Sequence, residues 1–160
     1  MLGLTPLGAI HTAISLVALA AGLMAFFRDK GINPANTLGQ VYIWTTVLTC
    51  LTGFGIFQHG GFGKPHALGV ITLLVLGLAW LAARGSLFGA KAAAVMTVSY
   101  SLTFFFHLIP AMTETSVRLP VGDPLADSPE AEWLKMASGV LFLLFLIGAT
   151  LQVRRLKKMQ

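Results

Sequence analysis

The sequence predicts an all-α integral membrane bundle with five transmembrane helices. Three observations predict it. The 160 residues are 56% hydrophobic and only 11% charged, whereas a soluble domain carries about 25% charged residues. Five apolar runs, at 7–27, 38–57, 66–83, 92–109 and 134–153, reach or approach the roughly 17–25 residues that cross a bilayer as helix. Lysine and arginine collect just beyond the ends of those runs. Helix is the default for each run, because hydrocarbon cannot satisfy open backbone groups. Barrel strands would be shorter and would alternate polar with apolar residues.

The first run has no lysine or arginine before it, and Arg28 and Lys30 follow it. A secretory leader has the opposite polarity, so the run reads as a retained helix. The second carries the lone cysteine, Cys50. A single thiol within a span forms neither a disulfide framework nor a CxxC site. The third and fourth runs are the shortest. The fifth ends in RRLKK at 154–158, a basic tail suited to acidic lipid.

With five spans, Arg28, Lys30, Arg84, Lys91, Arg154, Arg155, Lys157 and Lys158 share one side, eight of the eleven basic residues. The positive-inside rule makes that side the cytoplasm. The N-terminus is then outside and the C-terminus inside. The net charge of +5 is therefore an orienting device and not a nucleic-acid footprint. The expected organisation is a histidine-bearing four-helix unit at 1–110, an acidic outer loop at 111–132, and a fifth helix with its tail at 133–160.

The four histidines are the chemistry-bearing residues. His11 lies one turn into span one, His59 closes span two, His66 opens span three, and His107 lies near the outer end of span four. On the expected topology all four sit toward the periplasmic face. An internal echo accompanies them: HTAISLVALAAGL starts at His11 and HALGVITLLVLGL at His66. The chain thus reads as two similar hairpins plus one helix, a repeat about an axis along the membrane normal. That symmetry brings the four imidazoles to one depth.

Helical spacing gives each histidine a stripe of small and polar neighbours. His11 shares one with Ser15, Ala18 and Gly22, His107 with Thr103, Tyr100 and Met96, and His59 with Gly55 and Thr52. Small residues let helices approach and polar ones avoid lipid, so these stripes should face inward. Gly22, Gly53, Gly55 and Gly77 offer room for a flat ring.

Imidazole is the common protein ligand for Zn, Cu, Fe and haem, and an ionisable group within a span is a functional candidate. The leading expectation is haem b, or a Fe, Cu or Zn ion, held by His11, His59, His66 and His107, with Glu114 as a possible added ligand and Asp123 a weaker one. Pro110 should break the helix between His107 and Glu114. Electron transfer or metal handling would follow, with quinone or a larger membrane complex as partner. Taken singly, each histidine also suits plain interfacial hydrogen bonding. Two other readings therefore stand beside the first: a non-catalytic accessory subunit, and a small transporter with a histidine proton relay. No hydrolase triad accompanies Ser15, Ser99 or Ser101, and GGFG at 60–63 lacks the GK[ST] of a phosphate loop.

The segments LGQVYIW (38–44), TGFGIF (52–57), HALGVITLLVLGLAW (66–80), SYSLTFFFH (99–107) and ETSVRLP (114–120) resemble a group of small polytopic bacterial inner-membrane proteins without an assigned activity. That resemblance implies the bacterial cytoplasmic membrane. The segment at 66–80 also looks like a histidine helix of cytochrome-b-type ascorbate and ferric reductases, which implies haem ligation by helix histidines. Those proteins place histidines toward both membrane faces, and here all four lie toward one.

Overall fold

The computed structural model describes residues 5–57, 61–85 and 87–159. Among them every regular element is helical: α1 (Pro6–Asp29), α2 (Thr37–Gly53), α3 (Lys64–Ala83), a 3-10 turn (Gly89–Lys91), α4 (Ala92–Arg118) and α5 (Glu132–Lys158). Four of these, α1, α3, α4 with its leading 3-10 turn, and α5, are long and apolar enough to cross a membrane. The shortest helix is α2, with 17 residues, rather than the third or fourth.

Local chemistry sets the ends. Thr5 Oγ1 accepts the Gly8 N–H at 3.1 Å and Pro6 stands in the first turn of α1, where a missing N–H costs nothing. Asn36 Oδ1 accepts the Gly39 N–H at 2.8 Å to start α2. Lys30, in the left-handed region at φ 63°, stops α1. The helix α4 runs through Pro110 to Arg118, against the expected break. One lost backbone bond is tolerated near the end of a long apolar helix with packed neighbours. The connection from α4 to α5 therefore begins after residue 118.

The first four helices form an up-and-down bundle. The helices α1 and α2 pack along their lengths, as do α3 and α4, while α2 meets α3 and α1 meets α4. His11 lies against Gly53, and Gly22 against Tyr42, so α1 and α2 are antiparallel. The fifth helix packs on α4 alone, through Phe142 and Phe145 against Phe105, and buries only Leu134.

Small residues dominate the interior. Ala18, Ala21, Ala25, Ala79 and Ala82 are buried, with Tyr42 and Tyr100 the largest enclosed side chains. Small residues draw the backbones together where lipid supplies no hydrophobic force between helices. A side chain at Gly22 would fall 2.5 Å from the Phe104 ring, so that close approach demands glycine.

Candidate functional site

The interior of the bundle carries a polar seam. On α2 the inward residues are Gly39, Tyr42, Thr46 and Thr49, with Gly53 against His11. Their alternating three- and four-residue spacing is that of a packed helix face, yet no member is aliphatic. On α4 the matching inward residues are Ser99, Tyr100, Thr103 and His107, all buried. The seam is stitched across the bundle. Tyr42 Oη meets Thr103 Oγ1 at 2.8 Å, and His107 Nε2 meets Thr46 Oγ1 at 3.1 Å. On the remaining side His11 Nδ1 meets Thr52 Oγ1 at 3.1 Å.

The direction of these bonds follows from the threonines. Thr46 Oγ1 donates its proton to the Tyr42 carbonyl at 2.7 Å, and Thr52 Oγ1 donates to the Leu48 carbonyl at 2.8 Å. Each hydroxyl has one proton, so toward its histidine it can only accept. His107 is then protonated at Nε2 and His11 at Nδ1. A neutral imidazole has one N–H, which leaves His107 Nδ1 with a lone pair, while His11 also hydrogen-bonds the Thr49 backbone. The same argument makes Tyr42 the donor to Thr103, whose own proton goes to the Tyr100 carbonyl at 2.8 Å.

His66 is arranged differently. It sits in the first turn of α3, where its Nδ1 accepts the Gly63 N–H at 3.2 Å, half of a capping box. Nδ1 must therefore carry a lone pair, and the ring proton lies on Nε2. That nitrogen is buried and has no hydrogen-bond partner. The ring stacks on Phe57 (centroids 5.0 Å, 23°) and on Phe62 (5.3 Å, 31°).

The three described histidines do not lie at one depth. His11 is level with Thr52 and His107 with Thr46, about 9 Å apart along α2 at 1.5 Å per residue, and His66 stacks on Phe57 beyond the end of α2. Among the described residues no three of His, Cys, Asp and Glu gather as metal ligands. His59 lies outside the described residues. Glu114 pairs with Arg118 at 2.7 Å on the exposed side of α4, and Asp123 is exposed in the connection from α4 to α5. Among the expected ligands, the charges of His11 and His107, and of His11 and Glu114, lie close enough to act on one another, and Thr52 and Thr46 hold the two rings.

Phe104 and Tyr42 occupy the space beside Gly22, His11 that beside Gly53, and Leu7 that beside Gly55, while Gly77 faces away from any neighbour. The hairpin symmetry breaks at the same place. His11 bonds to the returning helix of its own hairpin, and His107 reaches across to α2.

The stripes through His11 and His107 do face inward: Ala18, Gly22, Tyr100 and Thr103 are buried. The sequence reading missed Tyr42, Thr46 and Thr49, although their spacing was visible. It also passed over Phe57 and Phe62 as partners of His66. Compared with family models, curated proteins and solved structures, the chain matches none.

Proposed function

We propose that this chain is a multi-pass protein of the bacterial cytoplasmic membrane and a small proton-coupled transporter, whose buried histidines pass protons along the Tyr–Thr–His seam. The observation that carries this reading is the fixed orientation of His107. Its Nε2–H is anchored on Thr46 and its Nδ1 is left with a lone pair. A proton taken up at Nδ1 can be matched by release from Nε2 to Thr46 Oγ1, as Thr46 gives its own proton to the Tyr42 hydroxyl and Tyr42 gives its proton on toward Thr103 Oγ1. His11 extends the seam through Thr52 Oγ1 and the Thr49 backbone. Tyr42 and Thr103 continue the polar line toward the opposite end, where α2 begins. The histidine-free half of the spans is thus not free of proton-bearing groups.

Five spans fit this reading. The 17 residues of α2 are about 25 Å long, and they run antiparallel to α1 and α3 between two helices of spanning length. With α2 counted as a span, the basic residues after α1, α3 and α5 share the cytoplasmic side, and the histidine-bearing ends of the helices face outward.

The test is proton flux in liposomes containing the purified protein and a trapped pH dye. Collapse of an imposed pH gradient should depend on the protein, and His107→Leu and His11→Leu should each slow it by about tenfold or more. Equal flux in wild type and both variants defeats the reading.

A second reading rests on His11, whose charge lies close enough to those of His107 and Glu114 to act on them, as neighbouring ligands of one centre would. A haem b, or a Fe, Cu or Zn ion, bound there would point to electron transfer or metal handling. A visible spectrum and elemental analysis of the purified protein separate it from the first: a Soret band or stoichiometric metal lost in His11→Leu favours it. Neither cofactor nor flux, with a co-purifying membrane complex, would favour the accessory role.

A further inference from the structure

We infer that His66, with Phe57 and Phe62, forms a binding site for the headgroup of a quinone. The starting point is the orphaned donor. His66 is only 7% exposed, and its Nε2 is buried without a partner. Leaving a buried donor unsatisfied is costly, and such groups in native proteins call for an explanation. The Gly63 N–H fixes which species it is, since a donor at Nδ1 requires a lone pair there. The free position is an N–H. It seeks an acceptor oxygen and opposes a metal ion, which would need that nitrogen's lone pair.

The surroundings define the rest of the ligand. Phe57 and Phe62 flank the imidazole faces and are themselves 58% and 70% exposed. Exposed rings beside a buried donor offer stacking surface to a flat, conjugated molecule. Among the described residues the neighbouring ammonium, Lys64, is paired with Glu130 at 2.7 Å and so is not offered to an anion. The site lies at the end of α3, the depth at which an amphipathic headgroup rests while its tail stays in the hydrocarbon. A neutral, planar, lipid-soluble molecule with a carbonyl acceptor meets all three conditions, and a quinone headgroup is that molecule. The exposed phenyl rings turn aside to admit it, a side-chain motion of the ps–ns range. This site is independent of the relay at His11 and His107.

The test uses the full chain in detergent and a short-tailed benzoquinone as probe. Binding is read by quenching of tryptophan fluorescence and by the carbonyl stretch in difference infrared spectra. Wild type should bind saturably, with the stretch of one carbonyl moved to lower frequency. His66→Phe keeps a flat apolar ring and deletes the donor; affinity should fall about tenfold or more and the shifted band should vanish. Phe62→Ala, at an exposed position where folding is safe, should weaken binding several-fold and keep the shifted band. Thr46→Val, which disables the relay, should leave quinone binding unchanged. Absence of saturable binding to folded wild type, or a shifted band that persists in His66→Phe, overturns the proposal.

Discussion

Thr46 and His107 are 61 residues apart and joined at 3.1 Å. Tyr42 and Thr103 are also 61 residues apart and joined at 2.8 Å. The common offset means that α2 and α4 run parallel and in register across the bundle, held by polar side chains and not by backbone proximity. Thr46→Val removes the acceptor and strands the His107 N–H in the interior, at a cost of about 1–3 kcal/mol. His107→Leu added to Thr46→Val should recover most of that loss, because replacing both partners by apolar groups of similar shape is nearly neutral. Thermal unfolding in detergent, analysed as a double-mutant cycle, measures the coupling. Simple additivity of the two changes would mean that the bond contributes nothing.

Glycines at two positions should respond in opposite ways to alanine. A Cβ at Gly39 would lie 1.9 Å from the Asn33 carbonyl oxygen, a backbone atom that cannot swing aside. Gly39→Ala should destabilise by about 1–3 kcal/mol or more. At Gly77 a Cβ meets nothing within 4 Å, so Gly77→Ala should stabilise by up to about 1 kcal/mol through helix propensity. Melting temperatures of the two variants decide the matter; equal shifts would contradict the packing described.

The fifth helix has one polar clasp. Gln152 Oε1 accepts from Ser101 Oγ at 2.8 Å, and Gln152 Nε2 donates to the Lys30 carbonyl at 2.9 Å. Gln152→Leu breaks both bonds and leaves two partners to find others, at about 0.5–1.5 kcal/mol per bond. It should loosen the C-terminal half of α5 while Phe142 and Phe145 hold the other half on Phe105. Faster amide exchange confined to residues near 152, with the rest of α5 unchanged, is the expected result.

Acid should loosen the outer loop. The Lys64 ammonium, 2.7 Å from Glu130, holds that carboxyl below the usual glutamate value. A carboxylate whose folded value is depressed stabilises the folded form above its unfolded value. The contribution is lost as pH falls through the folded one. Lowering the pH through and below the ordinary glutamate range should therefore release the loop from the start of α3. A spin label at Asp127→Cys, in a Cys50→Ser background, should gain mobility over that range. With Glu130→Gln it should be mobile already at neutral pH and insensitive to acid.

Much of this arrangement was legible in the sequence, and the gaps have physical causes. Apolar runs located the helices, because helix is the economical way to bury backbone in lipid. The His11 and His107 stripes were read correctly, since Ala18, Gly22, Tyr100 and Thr103 follow them at helical spacing. The stripe on α2 was drawn through Thr52 and Gly55 toward His59, while the buried face runs through Tyr42, Thr46 and Thr49. Thr52 still belongs to the packed side, since it bonds to His11, but the face continues from it through Thr49 and Thr46 rather than Gly55. Nor did the sequence reveal that His107 would reach across to α2, because that choice depends on which hydroxyl lies at its level. The continuity of α4 through Pro110 depends likewise on neighbours that cover the weakened turn.

The threonines of α2 have one more consequence, for how the chain is assembled. Thr45, Thr46, Thr49 and Thr52 each give their hydroxyl proton to a carbonyl four residues back in the same helix, those of Val41, Tyr42, Thr45 and Leu48. The helix thus has its polar protons housed before any tertiary contact forms, and its hydroxyl oxygens stay open to His11, from the helix made just before it, and to His107, from one made later.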